Sequence, residues 1–233
     1  MNIVITGASK GIGKAIAEKF ATQGYSVYLC ARNEEHLSST AEEIARKNPS
    51  VAVHHMSCDV SQKSEVYRFA DWVLSHTGTP SILVNNAGIY EPGHVHEEDD
   101  GVLERLMAIN VYSAYYLSRK LLPAMMKARS GHIFNMCSIA SLQAYQNGGS
   151  YSITKHALSG LSANLRHEMK QYGIKVTSVF PGAVYTDSWS SSGVSEDRIM
   201  KPEDISELIF TTSQLSPQAC VEEIVVRPQL GDL

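Results

Sequence analysis

The chain has 233 residues, 43% of them hydrophobic, and its 20 Lys and Arg against 24 Asp and Glu leave a net charge of −4. That length and apolar content suit one domain with a full core, and without a long basic run there is nothing to track nucleic-acid phosphates. Nowhere do about 18 apolar residues follow one another, and the apolar start is too soon broken by glycine for a signal peptide, so the expectation is a cytoplasmic protein with no nucleic acid and no membrane as partner.

In chain order, the run NIVIT (2–6) opens as a β-strand and passes into TGASKGIG (6–13), followed by a helix over 12–24. The glycines at 7, 11 and 13, with Ser9, Lys10 and Ile12 between them, allow a tight turn, a close backbone approach and a helix N-terminus aimed at a pyrophosphate. Taken alone, such a turn is as readily a plain βα connection. The second strand, YSVYLC, ends at Ala31 and Arg32, where an NAD site usually presents an acid to the ribose hydroxyl. Here Arg32 and Lys10 are two cations able to flank a 2′-phosphate, which predicts NADP(H); the plainer reading is an arginine at a strand end and a solvated lysine.

A helix over 34–47, the strand VAVHHMS, the triplet CDV (58–60), a helix over 62–77 and the strand SILVNN follow, the last running into NNAG (85–88). The aperiodic stretch IYEPGHVHEEDDG (89–101) comes next, and its His94 and His96 read as part of a solvated acidic loop rather than a metal site. A long helix over 99–128, the strand HIFNMCS ending at Ser138, a helix over 151–172, the strand KVTSVF, a second aperiodic stretch (183–202), a helix over 202–213 and the strand EEIVVR complete the chain. Strands alternating with helices in this way predict an α/β doubly wound parallel sheet of Rossmann type, in a single domain over 1–233, with a substrate lid over 186–200. The four cysteines, Cys30, Cys58, Cys137 and Cys220, lie far apart in sequence without CxxC spacing and read as reduced thiols.

The segment YSITK (151–155) places Tyr151 and Lys155 four residues apart, hence on one face of the helix it opens, where an ammonium favours the phenolate form. By pattern alone this is also what a buried tyrosine and a solvated lysine at any helix start would look like.

TGASKGIG, CDV, NNAG, the pair Ile109-Asn110, Ser138, YSITK and PGAVYT (181–186), in this order, resemble the short-chain dehydrogenase/reductase family over essentially the whole chain. The resemblance implies a catalytic set of Asn110, Ser138, Tyr151 and Lys155. Tyr151 is the general acid or base, Ser138 holds the carbonyl oxygen, Lys155 holds the nicotinamide ribose, and Asn110 holds a water that relays protons to Lys155. It further implies adenine contacts from Asp59 and Val60, an adenine-ribose floor from Asn86, Ala87 and Gly88, and a nicotinamide-facing segment containing Pro181, Gly182, Val184 and Thr186. Pairing of the two longest helices implies a homodimer or homotetramer.

The C-terminal VEEIVVRPQLGDL and PGAVYTDSW are similar to bacterial sepiapterin-reductase-like members, which implies NADPH-dependent reduction of a small-molecule ketone, with Ser138, Asp187, Trp189 and Glu196 as candidate substrate contacts. The alternatives are 3-oxoacyl-carrier-protein reductase, with Arg129 as the basic residue to dock an acidic carrier, and a general carbonyl or polyol oxidoreductase. A cofactor sensor without catalysis is the reading from a different class, and the intact Tyr151 and Lys155 speak against it.

Overall fold

Seven parallel strands form one sheet: β1 (Asn2–Thr6), β2 (Ser26–Ala31), β3 (Val53–Ser57), β4 (Ile82–Asn85), β5 (Gly131–Met136), β6 (Ile174–Pro181) and β7 (Glu223–Val226), in the spatial order β3-β2-β1-β4-β5-β6-β7. The computed structural model describes residues 1–186, 189 and 193–233. The helices are α1 (Gly11–Thr22), α2 (Glu34–Lys47), α3 (Lys63–Thr77), α4 (Val102–Met107), α5 (Ser113–Ala128), α6 (Gly149–Met169) and α7 (Pro202–Ser213). Among the described residues no helix is long and apolar enough to cross a membrane.

Period-two alternation along the strands separates two cores. Ile3, Ile5, Val27, Leu29, Ile82 and Val84 point to one face, where Ile16 and Phe20 of α1, Leu37 and Ile44 of α2, and Ile205 and Ile209 of α7 cover them. Val4, Tyr28, Cys30 and Leu83 point to the other, against Phe69 and Val73 of α3, Leu117 and Leu121 of α5, and Leu165 of α6. With both faces covered, the central strands are buried on both sides, and the polar residues they do carry, such as Asn85, Asn135 and His132, are buried with them. The chain winds outward from β1 to β3 and then returns to β4 on the other side of β1. At this reversal the loops leaving β1 and β4 diverge to opposite faces, and a crevice opens at the carboxyl ends of the strands.

One expectation changes. The helix expected over 99–128 begins at Val102, and between α4 and α5 it passes through a π-helical turn, Ala108–Tyr112. The turn carries one extra residue per turn, and the Ser113 hydroxyl takes up the Ile109 carbonyl at 2.5 Å. The cysteines are all free, yet Cys30 and Cys58, far apart in sequence, meet where the register sets the end of β2 beside the end of β3. Burial, and a hydrogen bond with Cys58, push the Cys30 thiol well above its ordinary range.

Buried His132 of β5 gives the fold a pH dependence. Thr177 Oγ1 donates to Val221 O at 2.6 Å, so it accepts from His132 Nε2, 2.8 Å away, and His132 Nδ1 has no hydrogen-bond partner. Protonating Nδ1 would bury a charged donor with nothing to receive it. Burial first, and then the Lys175 charge, lower this imidazole from 6.5 to about 3. A depressed histidine stabilises the fold above its unfolded value and loses that contribution as pH falls from about 6.5 toward 3, at about 1.4 kcal/mol per pH unit. The urea midpoint is therefore expected to drop steadily below pH ~6.5, with a visibly shallower slope for His132→Phe. Parallel slopes for the two proteins would refute this role for His132.

Candidate active site

The phosphate end of the crevice is assembled from the turns after β1 and β4. Thr6 closes β1, and its hydroxyl accepts the N–H groups of Asn86 at 3.0 Å and Ala87 at 2.9 Å. The Asn86 amide returns two hydrogen bonds, to Thr6 O at 2.9 Å and Gly7 O at 3.1 Å. Gly13 is required here by close approach, since a Cβ on it would stand 2.3 Å from Gly7 O and 2.6 Å from Asn86 Nδ2. Ile12 lies in the first turn of α1 between Gly11 and Gly13, and Lys10 occupies the N-cap position without a side-chain cap. Ala8 N–H donates to Cys30 O at 3.1 Å, and Ser9 O accepts from the Thr40 hydroxyl at 2.9 Å, so the turn is fixed beside the end of β2. Lys10 and Arg32 therefore leave from neighbouring stretches, both exposed.

Asp59 has a local role as well: its carboxylate accepts Ser61 N–H at 3.0 Å, shaping the turn before α3. Half-buried Val60 packs against the second core. β6 ends at Pro181, and Gly182 leads on to a bridge between Val184 and Met200, which closes the base of the excursion between them. Thr186 comes up to Gly11, with Thr186 Cγ2 3.1 Å from where a Cβ of that glycine would sit. Asp187 lies outside the described residues. Trp189 N–H donates to Thr186 O at 2.8 Å, and Glu196 is exposed on a short 3-10 turn, Glu196–Arg198.

The four candidate catalytic residues come from three elements. Ser138 follows β5 and opens a 3-10 turn, Ile139–Ser141; its Oγ accepts Ala140 N–H at 3.1 Å, which leaves its own O–H to donate. Helix α6 is stapled along this stretch twice, by Ser152 Oγ donating to Ala140 O at 2.9 Å and by Lys155 Nζ donating to Met136 O at 2.8 Å. Lys155 is only 6% exposed, its Nζ 5.6 Å from the centre of the Tyr151 ring. Gly88 keeps the space in front of it open: a Cβ there would stand 3.3 Å from Asn110 Oδ1 and 3.5 Å from Lys155 Nζ. A glycine-lined cradle with a buried ammonium and a helix N-terminus fits a dinucleotide cofactor.

Asn110 sits in the π turn, and its side chain is fully engaged as a donor. Asn110 Nδ2 donates to Ile89 O at 3.1 Å and to Thr154 Oγ1 at 3.0 Å, while Oδ1 accepts Ile89 N–H at 2.8 Å. The two-way bond to Ile89 anchors the start of the 89–101 loop directly beside α6. Farther back, Asn85 Nδ2 donates to Ser118 Oγ and Asn135 Oδ1, and Asn135 Nδ2 donates to Ser162 Oγ, so one buried polar network joins β4, β5, α5 and α6.

The 89–101 loop is not simply solvated. His94 and His96 are exposed, but the Glu98 carboxylate accepts both Ser150 N–H, at 2.8 Å, and the Ser150 hydroxyl. A carboxylate on the first-turn amides of a 21-residue helix is favourably placed against the helix dipole. Gly93 pairs with Gly148 in an isolated bridge, so the loop is tied to the start of the helix carrying Tyr151 and Lys155. This brings Tyr90 to Tyr151, their rings perpendicular at 89° with centroids 4.9 Å apart. Tyr145 joins them through a hydrogen bond to Tyr90; burial first, and then the Tyr90 and Tyr151 phenols, raise the Tyr145 hydroxyl above its ordinary range. Glu98, Tyr90 and Tyr145 are residues sequence reasoning missed. The only signal for them was their position in loops at the carboxyl ends of β4 and β5.

The family model described as short chain dehydrogenase matches residues 1–197. An uncharacterized oxidoreductase of Staphylococcus saprophyticus is 33% identical over 225 residues, 97% of this chain and 96% of its own. Among solved structures, an alcohol dehydrogenase from the archaeon Thermococcus sibiricus complexed with 5-hydroxy-NADP superposes with a TM-score of 0.89 at 28% identity, over 97% of this chain and 96% of that one. L-sorbose reductase from Gluconobacter frateurii, complexed with NADPH and L-sorbose, gives a TM-score of 0.88 at 29% identity, over 96% of this chain and 94% of that one. The crevice at the β1/β4 reversal, the stapled Ser138–Tyr151–Lys155 stretch and these relationships lead to one conclusion: the chain belongs to the short-chain dehydrogenase family of oxidoreductases.

Proposed function

We propose that the protein is an NADPH-dependent carbonyl reductase, working reversibly on a small-molecule ketone and its alcohol. The observation that carries this reading is the buried Lys155 ammonium, held by Met136 O beside the Tyr151 ring and behind Gly88. One of its three protons is committed to Met136, and two remain to hold the cofactor's ribose hydroxyls. NADPH, when bound, supplies the hydride that the carbonyl carbon accepts. Tyr151 gives its phenolic proton to the carbonyl oxygen, and Ser138 steadies that oxygen with its free O–H as charge develops there. In the oxidative direction the same groups act in reverse.

Asn110 enters this proton path through what it positions. Both of its amide protons are used on Ile89 and Thr154, so a relay water near Lys155 would rest on the main-chain groups around the π turn.

Narrower versions differ in support. Arg129, the residue available to dock an acidic carrier protein, precedes β5 and so lies at the amino edge of the sheet, across from Ser138, where it donates to Gln171 O at 2.8 Å. That removes support from the acyl-carrier reading. A sepiapterin-like ketone remains the narrower reading we retain, on the likeness of the chain's end. The placement of Lys10 and Arg32 beside the glycine turn supports NADPH over NADH.

The test is loss of NADPH absorbance with purified protein on sepiapterin, a simple diketone and an acetoacetyl thioester. In the same assay, Arg32→Asp is expected to shift the NADPH-to-NADH preference in kcat/KM by about tenfold or more toward NADH, since a bound 2′-phosphate would then face a carboxylate. An unchanged ratio would place the phosphate elsewhere.

A further inference from the structure

The mouth of the site has a chemical character of its own. Tyr90 and Tyr145, 51% and 41% exposed, stand beside Tyr151 and present solvent-facing aromatic surface at the candidate reaction centre. The stretch 138–150 contains no charged residue, and 89–101 contains no Lys or Arg. The acids in the second stretch that lie nearest are already engaged, Glu91 with Arg105 at 2.7 Å and Glu98 with Ser150. The rings of Tyr90 and Tyr151 meet at right angles, forming a corner with π faces on two sides. Tyr145 braces that corner, and its own ring is set by Gly148, whose Cβ would stand 3.1 Å from Tyr145 Cε1.

We propose that Tyr90 and Tyr145 are specificity-determining residues which select an uncharged carbonyl compound carrying a flat ring. The ring lies against the two tyrosines while its carbonyl oxygen meets Tyr151 and Ser138. Aromatic pairing favours a flat ring over a puckered one of equal size, and because 89–101 and 138–150 supply no Lys or Arg, a carboxylate or phosphate on the part of the substrate lying against them finds no cation in those stretches. This inference rests on the carbonyl-reductase reading for its chemistry but not for its binding test.

The experiment uses the full chain and three probes: acetophenone, cyclohexyl methyl ketone and phenylglyoxylate. Their affinities for the protein loaded with NADP+ are measured by calorimetry, and kcat/KM is measured with NADPH. We expect acetophenone to bind about tenfold tighter than either of the others. Tyr90→Leu and Tyr145→Leu should erase most of that ratio, Tyr90→Phe and Tyr145→Phe should keep it, and NADPH affinity should stay constant across all four variants, which also verifies folding. A ratio surviving both leucine variants, or tightest binding of phenylglyoxylate, overturns the proposal. If no probe turns over but the binding preference appears and responds to the leucine variants, the specificity assignment stands and the reductase reading fails. If none of the probes binds, the assignment is wrong.

Discussion

Tyr151→Phe is expected to lower kcat by about 10²–10⁴-fold while leaving NADPH affinity unchanged. The substitution removes one oxygen and keeps the ring, so the perpendicular contact with Tyr90 and the face presented to Lys155 both survive. Nothing in the cofactor cradle depends on the phenol: the glycine turn is held by Thr6 and Asn86, and Lys155 by Met136 O. What disappears is the proton donor at the carbonyl oxygen. An interaction made only in the transition state lowers kcat and kcat/KM together, and this pattern distinguishes it from lost substrate binding. Single-turnover kinetics with NADPH in excess would report it directly, and wild-type turnover in the variant would rule out the assigned role.

Lys155→Met is expected to have a comparable effect by a different route. Methionine nearly matches the length of the lysine stem, so packing around a residue only 6% exposed is largely kept. The ammonium, however, is lost both to the cofactor and to Met136 O, and leaving a buried carbonyl without its partner costs about 1–3 kcal/mol. NADPH affinity should fall by about tenfold or more, and kcat/KM by at least ~10²-fold, since loss of a charge-assisted hydrogen bond adds to misplacement of the cofactor. Unchanged NADPH binding together with unchanged kcat/KM would remove Lys155 from the site.

Local patterns carried the sequence reading furthest. The glycine turn, the strand alternation and the Tyr151/Lys155 pair are short-range patterns whose geometry follows from backbone conformation and a four-residue helical repeat. The helices expected over 34–47 and 202–213 have those bounds in the structure. The long helix was a different matter. Its apolar pattern runs through 108–112 without marking the π turn, because the turn's Asn110 side chain is tied to main-chain groups of another segment, the N–H and carbonyl of Ile89.

The same reason separates the two kinds of knowledge more generally. By itself the sequence determined the succession of strands and helices, which depends on neighbours within a few positions, while the roles proposed for the glycine turn and for Tyr151 rest on the family resemblance. Only the tertiary structure decided that Glu98 clamps Ser150, that Cys30 touches Cys58, that Arg129 faces the edge away from the chemistry and that Tyr90 and Tyr145 close on Tyr151. Each of those depends on which loop leaves which end of the sheet. No periodicity records this, because a contact between residues some fifty positions apart is set by the packing of the elements between them and not by any pattern along the chain.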